Sequence, residues 1–299
     1  MTNFEIGLLF TGIMMVLLLL GMRVAFAAAL AGTLGLVAIM ANRMPLDKAL
    51  NAALGIAGTV PHSKAVTYSL SVLPMFILIG FLAFHAGITK ALFEAAKRWF
   101  GRLPGGLAVG TVFATAGFAA VSGASTATAA VFARVAIPEM LKEGYSPRLA
   151  SGVVAAGGTL ATLIPPSAIL VIYAIIVEES VGKLLLAGFL PGLVSAIIYG
   201  LIIVVTVMIK PESGPRSRHF TLTEKVKSLP ATFPIFGVVF IIFGSMYFGW
   251  ATPTEAGALG AFVVFILAML RGMPSSALKE ALIETSKLTV MIFTIIWGV

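Results

Sequence analysis

The residues best placed to do chemistry in this sequence are hydroxyls, glycines and prolines. They form two clusters, Ser122-Gly123-Ala124-Ser125-Thr126 and the stretch from Gly157 to Ser167 that contains Pro165-Pro166. Converging hydroxyl and carbonyl oxygens can bind hard cations such as Na⁺ without a carboxylate. The alternative for the first cluster is close helix packing, which small residues also favour.

The proline pair interrupts an apolar segment that would otherwise form one helix. Neither proline has an N–H, so the carbonyls of Ala161 and Thr162 lose the donors that lie four residues further on. Unpaired carbonyls in an apolar environment are costly, and a bound cation is one partner that satisfies them. The alternative is a simple kink satisfied by the hydroxyls of Thr162 and Ser167.

The remaining polar residues do not form a catalytic set. The chain has no cysteine, and His62, His85 and His219 show no metal-ligand spacing. Gly182-Lys183 lacks the rest of a phosphate-binding loop, and no hydrolase or metalloprotease motif occurs. We therefore predict that the chain is not an enzyme and carries no organic cofactor.

Glu255 is a carboxylate at the start of an apolar segment, where a proton relay is conceivable. The sequence Thr252-Pro253-Thr254-Glu255 also has the pattern of a capping box with proline at the first helical position. Capping explains all four residues, so we assign Glu255 a structural role.

The composition defines the class of protein that must position these residues. Of 299 residues, 59% are hydrophobic and 11% are charged, and the mean hydropathy is +1.06. Soluble domains carry roughly 25% charged residues, and disordered chains have low hydrophobicity. The sequence predicts an all-α integral membrane protein with several spans, lying in a lipid bilayer.

Apolar runs long enough to cross a bilayer recur along the chain. The predicted spans are 4–20, 24–41, 69–86, 149–177, 184–209, 231–249 and 255–270. Residues 105–140 form two shorter apolar pieces around the Ser122 cluster, which fits either a re-entrant hairpin or two short spans. Residues 89–100 and 275–286 are amphipathic, which fits helices on the membrane surface and, equally, ordinary solvated connectors.

The net charge of +8 reflects topology rather than nucleic-acid binding, because the cations lie between apolar runs. The segments richest in cations are 89–104, with Lys90, Lys97, Arg98 and Arg102, and 210–228, with Lys210, Arg216, Arg218, Lys225 and Lys227. Both fall on one side of the predicted topology, which the positive-inside rule makes cytoplasmic. The amino terminus is then predicted to be periplasmic.

Several motifs, in this order, resemble the large permease subunit of tripartite ATP-independent periplasmic (TRAP) transporters. They are Gly21-Met22-Arg23-Val24-Ala25-Phe26, Leu73-Pro74-Met75-Phe76-Ile77-Leu78-Ile79-Gly80, Ser122-Gly123-Ala124-Ser125-Thr126-Ala127-Thr128-Ala129-Ala130, Gly157-Gly158-Thr159 through Ile164-Pro165-Pro166-Ser167, and Thr252-Pro253-Thr254-Glu255-Ala256. The sequence departs from the family pattern at Arg23, Ala124 and Ala161, and Ala124 removes a side-chain contact at the Ser122 cluster.

The resemblance implies an elevator-type secondary transporter of a bacterial inner membrane, coupled to Na⁺. It implies two protein partners, a small membrane subunit and a periplasmic binding protein that delivers an organic anion such as a C4-dicarboxylate or sugar acid. By carry-over of the motifs, the ion- and substrate-binding residues are Ser122, Gly123, Ser125, Gly157, Thr159, Pro165 and Ser167, with Na⁺ at Ser122, Ser125, Gly157 and Pro165.

The resemblance also implies a domain organisation. Residues 1–104 would hold scaffold helices and an amphipathic arm, and residues 105–183 a transport-domain segment with the hairpin 105–140 and the broken helix 149–177. Residues 184–299 would hold scaffold helices, the cytoplasmic loop 210–229 and the start of a second inverted repeat, which we expect to be cut short. A channel, or a scaffold subunit that does not transport, is the alternative function.

Overall fold

The fold is helical throughout the part of the chain that is described. The computed structural model describes residues 2–65, 68–215 and 220–298, and within these ranges it contains α-helices and short 3₁₀ turns but no strand. The prediction of an all-α fold is confirmed. Arg216, Arg218 and His219, which entered the sequence-based topology and the histidine survey, lie outside the described residues.

The helices are numbered in chain order. They are α1 (Asn3–Leu19), α2 (Val24–Ala41), α3 (Leu46–Ala65), α4 (Val72–His85), α5 (Ile88–Phe100), α6 (Gly106–Ser122), α7 (Ser125–Lys142), α8 (Pro147–Thr159), α9 (Ala168–Ile176), α10 (Val181–Ile209), α11 (Leu222–Ser228), α12 (Phe233–Tyr247), α13 (Pro253–Leu270) and α14 (Ser275–Gly298).

In the described part of the chain, four helices are long and apolar enough to cross a membrane: α2, α10, α13 and α14. Two further candidates are bent pairs, α4 with α5 at 70° and α11 with α12 at 50°. The predicted span 4–20 corresponds to α1, an apolar helix of 17 residues that is slightly shorter than a full span. The predicted span 149–177 is divided into α8 and α9.

The carboxyl end of the described chain differs from the sequence-based expectation. Residues 275–286 were expected to form a separate surface helix, but they are the first half of the continuous 24-residue helix α14. The helix begins with polar residues and ends with apolar ones, and it is still apolar enough over 18 residues to be a candidate membrane span. Local amphipathicity therefore did not indicate how far the helix extends. Helix α3 was not predicted, because Asp47, Lys48 and Pro61 interrupt its apolar character.

Contacts divide the chain into two compact units, residues 1–70 with 287–299, and residues 71–286. In the first unit, α2 packs against both α1 and α3, and Gly35 lies against Phe10. Helix α1 begins with a capping box in which Thr2 and Glu5 bond each other's backbone N–H. These units do not coincide with the domain boundaries at 104 and 183, which stay predictions.

The second unit contains the hairpin α6–α7 and the helices around it. Helix α4 ends in a sharp bend at Gly87, which has φ +71, and α5 then runs against α6. Phe100 of α5 and Phe113 of α6 stack with ring centroids 4.5 Å apart. Helix α13 packs against α4, and its first turn is held by the expected capping box of Thr252 and Glu255. The amphipathic helix predicted at 89–100 is present.

Lys97 of α5 forms an ion cluster with two glutamates. Its Nζ lies 2.8 Å from Glu139 Oε1 and 2.7 Å from Glu143 Oε1, at the end of α7, and its side chain is only 14% exposed. The sequence shows the three charged residues, but it does not show that they contact each other, since Lys97 and Glu139 are 42 residues apart in the chain. This ion cluster fastens the amphipathic helix to the second arm of the hairpin.

We expect Lys97→Met to lower the free energy of unfolding by about 1.5–3 kcal/mol, because two half-buried carboxylates lose their shared cation. The thermal unfolding midpoint of the purified protein in detergent measures the change. Lys90→Met is the matched control, since Lys90 is exposed on the same helix, and it should change stability by no more than about 0.5 kcal/mol. Equal effects of the two substitutions would contradict a structural role for the ion cluster.

Candidate functional site

The tip of the hairpin is a tight, buried turn. Helix α6 ends at Ser122 and α7 begins at Ser125, so only Gly123 and Ala124 connect them. Gly123 has φ +61, a backbone conformation that glycine adopts at low cost. The Ser122 and Thr128 hydroxyls lie 2.7 Å apart, and both side chains are buried. The tip is therefore a closed polar turn inside the protein.

The broken helix lies opposite this tip. Helix α8 ends at Thr159, a single 3₁₀ turn covers Leu160–Thr162, and α9 begins at Ala168. The peptide bond between Pro165 and Pro166 is cis, and both prolines are buried. The predicted break in the helix is confirmed.

The two carbonyls freed by the proline pair differ in their partners. The Thr162 carbonyl accepts a hydrogen bond from the Ser167 hydroxyl at 2.8 Å, as the kink alternative requires. Ala161 is completely buried, and the next N–H along the chain that could reach its carbonyl, that of Ile164, bonds the Leu160 carbonyl at 2.7 Å instead. The Ser167 hydroxyl thus satisfies the Thr162 carbonyl, and the Ala161 carbonyl is left as an available cation ligand.

The tip and the break contact each other directly. The Gly123 carbonyl accepts a hydrogen bond from the Ala168 N–H at 3.0 Å. A side chain at Gly123 would place its Cβ 2.6 Å from the Pro166 carbonyl oxygen. If α8 and α9 cross the membrane, the tip lies at the depth of the break and the hairpin is re-entrant. This contact favours the hairpin over two complete short spans.

The contact between the hairpin tip and the break forms a junction, and glycines on two neighbouring helices let their backbones approach it closely. A Cβ on Gly80 of α4 would lie 2.6 Å from Ser122 Cα. On α10, a Cβ on Gly188 would lie 2.5 Å from the Leu163 carbonyl oxygen, and one on Gly192 would meet Ile164. The sequence analysis missed the α10 contacts, although the spacing Gly188-x-x-x-Gly192 is typical of close helix packing in membranes.

The structure gathers some of the predicted site residues and separates others. Ser122, Gly123 and Ser167 lie at the junction, Ser125 opens α7 beside Gly158, and Pro165 is buried within the break. Gly157 faces Thr115 of α6, where a side chain would overlap the threonine hydroxyl. Thr159 is exposed, and its hydroxyl bonds the Ala156 carbonyl and lies 3.2 Å from the Tyr199 hydroxyl. Thr159 therefore points to α10 rather than to the tip.

The chemistry of the junction is that of neutral oxygen ligands. None of its predicted ligands is ionisable, and the described residues contain no group of three or more histidines or acids that could hold a metal ion. Backbone carbonyls and hydroxyls suit a monovalent hard cation better than a transition metal. The amino-terminal ends of α7 and α9 also lie beside the junction and favour negative charge.

His85 has a structural environment that the sequence did not reveal. Its Nε2 lies 2.9 Å from Glu284 Oε2 and its Nδ1 lies 3.9 Å from Glu280 Oε2, which links α4 to the first half of α14. This pair lies apart from the hairpin tip and adds no ligand to it.

A helical membrane fold in which a hairpin tip meets a broken helix is the architecture of a secondary transporter domain. The chain belongs to the family "Tripartite ATP-independent periplasmic transporter, DctM component", whose model matches residues 11–299. This family consists of transporter permeases rather than enzymes, as the sequence predicts.

Curated relatives carry several substrate names. The chain is 37% identical over 231 residues to the C4-dicarboxylate TRAP transporter large permease protein DctM of Pseudomonas aeruginosa, covering 77% of this chain and 54% of the relative. It is 31% identical to the sialic acid TRAP transporter large permease protein SiaM of Vibrio cholerae, covering 78% and 54%. It is 30% identical to the 2,3-diketo-L-gulonate TRAP transporter large permease protein YiaN of Escherichia coli, covering 78% and 55%. The chain spans about half the length of these relatives.

Gly123→Ala should destabilise the junction, because the new Cβ would be strained at φ +61 and would collide with the Pro166 carbonyl oxygen. We expect a loss of at least about 1–2 kcal/mol of unfolding free energy, read from the thermal midpoint in detergent. Gly152→Ala on α8 is the control, since no atom lies within 4 Å of its Cβ position. A normal midpoint for Gly123→Ala would mean that the tip and the break do not meet as described.

Proposed function

We propose that this chain is part of the large permease subunit of a TRAP transporter, and that the complete subunit takes up an organic anion together with Na⁺. The observation that carries the sodium assignment is the buried Ala161 carbonyl, whose donor position four residues on is a proline nitrogen and which lies in the break that meets the hairpin tip. A carbonyl so placed needs an electropositive partner, and Na⁺ supplies one.

Family membership supports the rest of the assembly. The relatives are named for C4-dicarboxylate, sialic acid and 2,3-diketo-L-gulonate, all of which are organic anions. We propose a substrate of this class, delivered by a periplasmic binding protein to a complex of this subunit with a small membrane subunit. The complex would lie in the bacterial inner membrane, with the amino terminus of this chain in the periplasm.

The geometry supports an elevator-type movement of the hairpin and broken helix. Their direct hydrogen bond joins the tip to α9, so that the two pieces can move as one body. The substrate anion would bind near the amino-terminal ends of α7 and α9, where the helix dipoles favour negative charge. The sodium ligands we propose are Ser122, Ser125, Gly157 and Pro165, joined by the Ala161 carbonyl, with backbone oxygens supplying much of the coordination. Gly123 and Ser167 complete the site, whereas Thr159, whose hydroxyl faces Tyr199, lies outside it.

Sodium coupling supplies enough energy for uptake without ATP. One charge that crosses about 100 mV of membrane potential releases about 2.3 kcal/mol, and a tenfold concentration ratio corresponds to about 1.4 kcal/mol. Two net positive charges per cycle therefore support a gradient of roughly three decades. This range suits a nutrient that is scarce outside the cell.

Na⁺ should raise the thermal unfolding midpoint of the purified native subunit, because a ligand that binds the folded state stabilises it. The titration replaces choline with Na⁺ at constant ionic strength, and a concentration 100-fold above the dissociation constant should add about 2.7 kcal/mol. A saturating rise supports the sodium site. A flat response would argue against it and would favour proton coupling or a scaffold subunit that does not transport.

Ser125→Ala and Pro166→Ala in the full-length subunit should each raise the Na⁺ concentration for half-maximal uptake about tenfold or more, because each disturbs a ligand of the charged ion. Both variants should still insert into the membrane. Ser151→Ala is the matched control, since Ser151 is exposed on α8 and its hydroxyl bonds the Pro147 carbonyl. Unchanged uptake by both variants at limiting and saturating Na⁺ would refute the site assignment.

A further inference from the structure

An apolar cavity of about 480 Å³ lies beside the broken helix, within the unit formed by residues 71–286. It is enclosed by α5, α6, α10 and α12. The side chains that define it include Trp99, Phe113, Phe189, Leu193, Phe236 and Ile164. Ile164 directly precedes the proline pair, so the cavity reaches the edge of the candidate sodium site.

The lining of this cavity selects an apolar occupant. None of its residues is ionisable, and Thr232, its one hydroxyl-bearing residue, donates its hydroxyl hydrogen to the Leu229 carbonyl. Water in a cavity needs two to four polar partners, which this lining does not offer. The volume falls within the range of about 300–1,000 Å³ that is typical of ligand pockets. In a membrane, the abundant apolar ligand of this kind is a lipid acyl chain.

Two cations lie near the part of the cavity that is lined by Trp99 and by Thr232, at the start of α12. Lys225 Nζ lies 3.3 Å from the Trp99 carbonyl oxygen and 6.0 Å from the centre of the Trp99 ring. Arg271 Nη2 lies 3.3 Å from the carbonyl oxygen of Ala231, the residue before Thr232. The nearby acid Glu224 bonds Thr221 at the start of α11. Two cations that bond the backbone beside Trp99 and Thr232, both of which line the apolar cavity, match an anionic lipid head group.

We propose that this cavity binds an anionic phospholipid, with one acyl chain between α6 and α10 and the phosphate at Lys225 and Arg271. The chain end then packs against Ile164, beside the break. The lipid fills space that the described helices leave open and supports the break from one side. This binding does not depend on sodium coupling or on the transported substrate.

Photo-crosslinking tests the proposal on the native permease complex in phosphatidylethanolamine vesicles. The probes are a phosphatidylglycerol with a diazirine near the end of one acyl chain and a phosphatidylethanolamine with the same chain. We expect the phosphatidylglycerol probe to label peptides of α6 and α10 at least about fivefold more strongly. No label in these peptides would mean that protein covers the cavity, and equal labelling by both probes would mean that the head group is not recognised; either result overturns the proposal.

Two sets of variants locate the two ends of the lipid. Ala116→Phe places a ring in the cavity and should lower labelling at least about fivefold, whereas Ala187→Phe, at an exposed alanine of α10 outside the cavity, should not. Lys225→Gln and Arg271→Gln, at a half-buried lysine and an exposed arginine, should reduce phosphatidylglycerol labelling to the phosphatidylethanolamine level without disturbing the fold. The charge-matched control pair is Lys183→Gln and Lys279→Gln, both exposed elsewhere. Full labelling of both test variants refutes the site.

Discussion

A backbone carbonyl buried in an apolar environment must find a partner, and this requirement organises the second unit of the protein. The proline pair removes the normal donors for Ala161 and Thr162 in the middle of a helix. Ser167, at the start of α9, satisfies Thr162, and the hairpin tip comes close enough for Gly123 to accept a bond from Ala168. The Ala161 carbonyl keeps its capacity for an ion. In the proposed sodium site, a defect that would be costly in lipid becomes a binding feature.

Close backbone approach is the second condition for this arrangement. Glycines on α4, α8 and α10, and Gly123 in the turn, face the tip, the break or the hairpin, and side chains at these places would collide with the backbone or with neighbouring residues. Without a hydrophobic force between helices in lipid, such close contacts provide much of the packing energy. The same glycines therefore hold the junction together and leave room for the polar backbone that it exposes.

The sequence predicted the helical class, the break at the proline pair and the turn at Ser122, because proline geometry and hydropathy act locally. It did not predict that Thr159, the last residue of α8, would face Tyr199 of α10. Which helix packs beside the end of α8 depends on how the break redirects the chain that follows. It also missed the contacts of Lys97 with Glu139 and Glu143 and of His85 with Glu284. Those pairs join distant segments, and charge patterns along one helix carry no information about them. The full extent of α14 was missed because its polar first half resembles a surface helix.

The attachment of α5 has a mechanical consequence. Its carboxyl-terminal half is fixed to α7 through Lys97, whereas its amino-terminal end follows the bend at Gly87, where φ is +71. A rod that is rigidly attached at one end and jointed at the other behaves as a lever. In the elevator movement proposed above, α5 would transmit a displacement of the hairpin to the bend at Gly87, and the length of α5 would set how large a swing a small rotation there produces.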